Sequence, residues 1–304
     1  MALIDFVIPC YNYGKYLPGC IASLAAQSEP DWRAIVIDDA STDGSAAIAH
    51  EIARAEPRVS VIAHARNRGH IATYNEGIAL AYAPFFMLLS ADDLLAPGAI
   101  RRALGVMQEH TEIAMTYGAS LDFDGTPPVA PSVDETWSIA SGPDFISQLC
   151  RQAVDFVPTP SVILRTAAQH AAGPYRAELP HSGDLEMWLR VALHGSVAST
   201  QAVQCFKRVH GANMSVAASD NILRDYEQRA AAYESFFSGP GAGMATEMAP
   251  ILRRRLAGLA FWTALAQLAR GHRRTALGLV RLVRRLNPST LLTPPLEPLL
   301  RAMR

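Results

Sequence analysis

Apolar and polar residues alternate in blocks along the first hundred positions. Strand-length apolar runs rich in Ile, Val and Phe occupy 3–8, 34–37, 59–62 and 85–89, as expected of strands buried on both faces. Between them, 16–26, 45–55 and 71–82 carry helical periodicity. Strand, helix, strand at this spacing predicts right-handed βαβ units, hence an α/β fold with a parallel sheet and helices on both faces. The middle of the chain is less regular. Segments 113–117, 162–164 and 203–209 read as strands, 125–131 as a Pro-rich loop and 184–194 as an amphipathic helix. From Asp220 the pattern is helical, with a break at Ser238-Gly239-Pro240-Gly241. Segments 251–270 and 273–286 read as two helices broken at Gly271. In the second, Leu279, Leu282, Val283 and Leu286 share one face and Arg274, Arg281 and Arg285 another.

Composition narrows the class. The chain has 304 residues, 50% hydrophobic and 18% charged, which excludes collagen-like, coiled-coil and wholly disordered chains. A net charge of -1 speaks against a polyanion binder, so no nucleic-acid partner is expected. That charge is unevenly spread: residues 251–304 hold eleven arginines and one acid, Glu297, for +10, leaving -11 elsewhere. The cysteines, Cys10, Cys20, Cys150 and Cys205, form no CxxC pair, which argues against a zinc ribbon and fits a reducing, cytoplasmic setting. Met1 leads almost directly into an apolar run without a basic flank, so no signal peptide is expected. The longest apolar run, 256–269, is bounded by Arg255 and Arg270 and is too short to span a bilayer.

Ligands of such sheets bind at the carboxyl ends of the strands, and polar clusters follow each of the four runs. They are Pro9-Cys10-Tyr11-Asn12-Tyr13-Gly14, Asp38-Asp39-Ala40-Ser41-Thr42-Asp43-Gly44, Arg66-Asn67-Arg68-Gly69-His70 and Ser90-Ala91-Asp92-Asp93. Neighbouring carboxylates at a strand end need a positive charge, and a divalent metal bound to phosphate oxygens supplies one. Tyr11 offers a flat face to a base, and Asp39 accepts hydrogen bonds from a base N–H or a ribose hydroxyl. Asn67 and Gly69 precede a helix N-terminus, where donors can meet phosphate. Simpler roles exist for each: Ser41-Thr42-Asp43 as a helix N-cap, Asp38-Asp39 as a solvated turn, Asp92-Asp93 as a cap on a helix at 98–108. Recurrence at four strand ends favours a nucleotide-diphosphate site.

The segments Val7-Ile8-Pro9-Cys10-Tyr11-Asn12, Val36-Ile37-Asp38-Asp39-Ala40-Ser41-Thr42-Asp43 and Leu89-Ser90-Ala91-Asp92-Asp93 resemble the family 2 glycosyltransferases of GT-A fold. So do Asn67-x-Gly69 with Asn75-x-Gly77, Gly183-Asp184-Leu185-Glu186-Met187-Trp188-Leu189-Arg190 and the segment from Phe206 to Ser215 containing His210. The resemblance covers about residues 3–215 and implies a Rossmann-like, nucleotide-binding, mixed, mostly parallel sheet flanked by helices, with a C-terminal helical extension. It implies that Pro9, Tyr11 and Asp39 line the base and ribose, that Asp92 reaches the ribose, and that Asp93 binds Mn2+ or Mg2+. It implies Asp184 as general base. His210 either helps hold the metal or diphosphate or is structural; Trp188 and Arg190 are packing and helix-surface residues. Ser90 stands where the family often has an acid, and Gly183 where it often has Glu. The Gln-x-x-Arg-Trp motif of processive synthases is absent, so one sugar per binding event is expected.

The implied organisation is a catalytic domain over 1–218, with a nucleotide-sugar half to about 110 and an acceptor half beyond, then a basic helical extension over 219–304. The implied activity is inverting transfer from a nucleotide-diphospho-sugar to a hydroxyl of a saccharide or lipid-linked saccharide, in bacterial surface polysaccharide or glycolipid assembly. UDP is preferred because Asp39 suits a pyrimidine N–H; dTDP presents the same edge, and GDP stays open. Acceptor contacts are expected from 121–156 and 180–183. A sugar-nucleotide nucleotidyltransferase would want a Gly-rich, basic first loop, unlike Pro9-Cys10-Tyr11-Asn12. A non-catalytic protein of this fold would not need Asp39, Asp93 and Asp184 together. The C-terminal helices either cover the catalytic domain with their arginines solvated, or meet anionic lipid at the inner face of the plasma membrane.

Overall fold

The computed structural model describes residues 2–131, 133, 135–211, 213 and 222–295. The chain divides into two compact units, one of Met1–Gly142, Val157–Glu178 and Val191–His210, the other of Pro143–Phe156, Leu179–Arg190 and Gly211–Arg304.

The first unit is built on β1 (Ile4–Cys10), β2 (Trp32–Asp38), β3 (Val59–Ala63), β4 (Phe85–Leu88), β5 (Leu94–Leu95), β6 (Ile113–Phe123), β7 (Ser138–Ala140), β8 (Ile163–Arg165) and β9 (Ser196–Arg208). Among the described residues these form one sheet in the order β3-β2-β1-β4-β8-β6-β9-β5, with β7 also paired to β9. β1 to β4 are mutually parallel, β8 is antiparallel to β4 and β6, β9 is parallel to β6, and β5 and β7 run against β9. Most strands thus point one way: β1 to β4 form the parallel sheet that the block pattern predicts, and β5, β7 and β8 make the whole mixed, as the resemblance implies. Helices α1 (Leu17–Ala25), α2 (Ser45–Ala55) and α3 (His70–Leu80) connect the first four strands, α4 (Ala99–Glu109) follows β5, and α6 (Thr166–Ala172) follows β8. Strands β6 and β9 outrun the expected 113–117 and 203–209, because they pair with each other from Ile113 and Ser196 through polar stretches.

Two contacts fix this half of the sheet. Asp5 is fully buried in β1. Arg33 of β2 donates to it from Nε at 2.8 Å and Nη2 at 2.7 Å, and the backbone N–H groups of Tyr82 and Ala83 donate at 2.7 and 2.9 Å. One carboxylate therefore ties β1, β2 and the chain entering β4. The second contact is Gly77 of α3, where a Cβ would lie 2.1 Å from Val7 Cγ1; only hydrogen lets α3 seat this closely on β1.

The second unit is helical: α5 (Gly142–Gln152), α7 (Gly183–Val191), α8 (Ile222–Phe237), α9 (Ala245–Ala269) and α10 (Arg273–Leu286). α9 begins ahead of the expected 251 and runs through Pro250. Proline removes one helical hydrogen bond, but Ala249, Leu252 and Leu256 are buried around it, so packing outweighs propensity. The turn at Gly271, with φ +84°, folds α9 and α10 into a hairpin. Leu279, Leu282, Val283 and Leu286 are all buried, as their shared face predicts. Tyr233 Oη donates to the Leu149 carbonyl at 2.9 Å, joining α8 to α5. No helix among the described residues is long and apolar enough to cross a membrane.

Substituting Gly77→Ala should cost about 1–3 kcal/mol by urea unfolding. Val7→Ala in the same chain relieves the collision, so the double variant should lose less than the two single losses added. Strict additivity would rule out this packing of α3 on β1.

Candidate active site

The loops after β1 and β2 lock together. Asn12 N donates to Ser41 Oγ at 2.9 Å, Thr42 N to Asn12 Oδ1 at 2.8 Å and Gly14 N to Asp43 Oδ2 at 3.2 Å. These bonds hold Asn12 and Ala40 at positive φ, 58° and 59°. Asp43 also accepts from Ser45 N at 2.9 Å, so it caps α2 from the residue before the N-cap position, which Gly44 occupies. Pro9 sits in β1, and Tyr11 just beyond it leaves 47% of its surface exposed, an open aromatic face at the strand end.

Asp38 and Asp39 are both buried, so they are no solvated turn. Asp39 Oδ1 accepts from Arg68 N at 2.8 Å and lies 2.7 Å from His64 Nδ1; Oδ2 accepts from Gly69 N at 2.9 Å. Burial pushes the Asp39 pKa up, but the bonds from His64, Arg68 and Gly69 outweigh it and hold the carboxyl below its usual range. Behind it, His64 Nε2 lies 3.0 Å from Glu76 Oε2, which also pairs with Arg68. Asn67 braces the loop, donating to the Asp39 carbonyl at 3.2 Å and accepting from Gly69 N at 3.0 Å. The structure thus joins Asp39, Asn67 and Gly69 directly, with the Gly69 N–H engaged by Asp39. A carboxylate has about four lone-pair sites, so one remains on Asp39 Oδ2.

The second cluster follows β4. Asp92 and Asp93 are buried side by side. Ser90 Oγ donates to Asp92 Oδ1 at 2.5 Å, and His210 Nε2 lies 3.0 Å from Asp92 Oδ2. Asp93 Oδ1 accepts from Arg208 N at 2.9 Å. Burial, then the charge of Asp92, pushes the Asp93 pKa up to about 7. The expected cap on 98–108 is not formed by these acids: the helix is α4, and Gly98 holds its N-cap position. The His210 ring stacks on Tyr16 at 4.8 Å and meets Tyr13 edge-on at 5.5 Å. Arg208 donates from Nε to the Asp92 carbonyl at 3.1 Å, with its guanidinium 4.8 Å from the Tyr16 ring.

Among the described residues no group of three or more His, Cys, Asp and Glu side chains forms a ready cation cage. Two hard carboxylates, one with its pKa raised by the other, nevertheless fit Mg2+ or Mn2+, which take one or two carboxylates and complete their shell with phosphate oxygens and water.

Asp184 lies in the second unit, in the first turn of α7. It lines a cavity of about 310 Å³ with Asp155, His181, Asp225 and Arg229. Leu185, Glu186, Met187 and Trp188 are buried beside it. Trp188 packs, as expected, but Arg190 is no helix-surface residue: it is 3% exposed and bonds from Nε to Glu186 Oε2 at 2.8 Å. A buried guanidinium needs that partner, and the i,i+4 spacing supplies it.

Residues 5–171 match the profile described as Glycosyl transferase family 2. The chain belongs to that family. It is 23% identical over 214 residues to an uncharacterized glycosyltransferase of Haemophilus influenzae, covering 69% of this chain and 66% of the relative. It is 26% identical over 216 residues to a chondroitin synthase of Escherichia coli, covering 70% of this chain but 30% of the relative. The chain thus matches under two thirds of the length of either relative. In fold it is similar to S. aureus TarS 1–349 in complex with UDP-GlcNAc, with a TM-score of 0.59 at 16% identity over 96% of this chain and 92% of that one. It is also similar to the mannosyltransferase PcManGT of Pyrobaculum calidifontis, in complex with GDP-Man and Mn2+, with a TM-score of 0.57 at 14% identity over 94% and 87%. The GT-A fold and family expected from the motifs are therefore found.

His64 and Glu76 escape the sequence reading, and Tyr13, Tyr16, Arg68 and Arg208, though they lie in the segments it marks, receive no role there. For Arg208 a signal existed, a Lys-Arg pair at the end of an apolar run in a chain with buried acids to neutralise.

Because the Asp39 pKa is lowered on folding, its stabilisation is complete above 3.8, the ordinary value, and is lost as pH falls through the folded value. Asp39→Asn should therefore cost about 1–3 kcal/mol near neutral pH. The gap to wild type should close in acid, as measured by urea unfolding at a series of pH values. A gap unchanged by pH would mean that the Asp39 charge contributes nothing.

Proposed function

We propose that the chain is an inverting glycosyltransferase that moves one sugar from a nucleotide-diphospho-sugar to a hydroxyl acceptor in bacterial surface polysaccharide or glycolipid assembly. The observation that carries this reading is the buried Asp92–Asp93 pair at the end of β4, with the pKa of Asp93 raised to about 7. Such a pair is costly by itself and suits a site completed by a cation and a diphosphate. The family match, the UDP-GlcNAc of TarS and the GDP-Man and Mn2+ of PcManGT support it.

In this reading Pro9 and Tyr11 flank the base, and the remaining site on Asp39 takes a pyrimidine N–H, which favours UDP. Asn67 and Gly69 hold Asp39 in place, and Asp92 reaches the ribose. Asp93, helped by His210 from its place against Asp92, would hold Mn2+ or Mg2+, which would supply charge neutralisation to a departing diphosphate. Asp184 takes the acceptor hydroxyl proton as the new bond to the anomeric carbon forms and the bond to phosphate breaks on the opposite face. The acceptor is a saccharide, free or lipid-linked.

Thermal-shift assays with UDP, dTDP, GDP and CDP, each with and without Mn2+, test the donor site. Selective, Mn2+-dependent stabilisation is expected, with UDP first; no shift with any of them would sink the reading. Protons compete with metal at a carboxyl whose pKa is raised, and the ionised pair destabilises the metal-free fold as pH rises through about 7. The Mn2+-dependent shift should therefore be larger at pH 8 than at pH 6.

Asp184→Asn should lower kcat by about 10²–10⁴-fold while leaving the nucleotide-induced shift intact. Asp93→Ala should remove the Mn2+-dependent part of that shift. Full turnover by Asp184→Asn would overturn the base assignment alone.

A further inference from the structure

The α9–α10 hairpin presents an unusual surface at its turn. Leu265 and Leu268 in the last turns of α9, and Leu277 and Val280 in the first half of α10, are exposed by 44, 53, 59 and 38%. They alternate with Arg270, Arg273, Arg274 and Arg281, all exposed. Another exposed apolar pair with a basic neighbour, Leu80 and Tyr82, differs in that its Arg33 is ion-paired to Asp5. Among the described residues no carboxylate pairs with any of these four arginines; on α10 the recorded ion pair is Arg285 with Glu234, 3.8 Å apart and at the other end of the helix. Residues 251–295 contain no acid at all. The apolar side chains are not spare core, because α10 already buries Ala276, Leu279, Leu282, Val283 and Leu286 on its inner face.

We infer that the hairpin turn docks on an anionic lipid surface. This goes beyond glycosyl transfer and does not rest on it. Leucines one helical turn apart, interleaved with unpaired arginines, match a layer that is apolar beneath and anionic above. The leucines enter the acyl boundary, while the arginines keep their guanidinium groups among the headgroup phosphates. Charge alone would also suit the acidic remainder of a second copy. The four exposed apolar side chains favour lipid, since a charged protein face gives them nothing to enter. α9 carries Glu247 and Arg253 to Arg255 within its 25 residues, and no described helix is long and apolar enough to cross a membrane, which makes the turn an interfacial contact and not a span.

The test is flotation of the full chain with phosphatidylcholine vesicles, with and without phosphatidylglycerol. Binding is expected only with phosphatidylglycerol and should weaken with added salt. The exposed double substitution Arg273→Ala with Arg274→Ala should reduce partitioning about 25-fold, at about fivefold per arginine. Leu268→Ser with Leu277→Ser should also reduce it, at unchanged charge. Both double variants should keep the wild-type melting temperature and nucleotide-induced shift. No binding to phosphatidylglycerol vesicles at low salt would overturn the inference. So would leucine variants that bind as well as wild type, or turn variants that dissociate an oligomer without changing flotation. The last result would assign the surface to a second copy.

Discussion

Buried carboxylate is the constraint around which the first unit is organised. Asp5, Asp39, Asp92 and Asp93 are all nearly inaccessible to water, and each must find compensation inside the protein. Asp5, near the amino end of β1, receives four donors from Arg33, Tyr82 and Ala83. Three of them converge on Oδ2 and one on Oδ1, and its charge is matched by the Arg33 guanidinium. Asp39, at the carboxyl end of β2, has three partners in His64, Arg68 and Gly69. Asp93, beyond β4, receives the Arg208 N–H while Asp92 repels it. Satisfaction thus falls from the structural edge of the sheet towards the edge where ligands of α/β folds bind. A carboxylate left short of donors is stabilised by a positive charge beside it, and that separates Asp93 from Asp5, a fastener of the same residue type.

The same constraint explains what the sequence reveals and what it hides. β1 to β4 and their helices are legible because strands buried on both faces leave nearly continuous apolar runs. The strand-end rule then finds Asp39, Asp92 and Asp93. Their partners depend on register, which composition does not encode. β3 pairs with β2 so that Ala63 faces Asp38, which brings His64 beside Asp39. Leu94 faces Phe206 in the antiparallel pair of β5 and β9, which carries Arg208 to Asp93. β5 has two residues and β7 three, too few to show a period. α5 and α6 lie where the apolar pattern is irregular, and they take shape from tertiary packing.

α7 shows how position on a helix separates an accessible acid from a buried one. Successive residues from Leu185 to Arg190 are buried, so Asp184 in the first turn is left with partial access to solvent. Carboxylates in a first helical turn are stabilised in their charged form by the peptide dipoles. The buried Glu186–Arg190 pair, one turn further on, adds no access and no chemistry of its own. Its neutrality lets two charged residues enter the interior, and its i,i+4 geometry fits only an intact helix. The rigidity of this helix therefore comes from its buried residues, and Asp184 is the first-turn acid that it leaves at its open end.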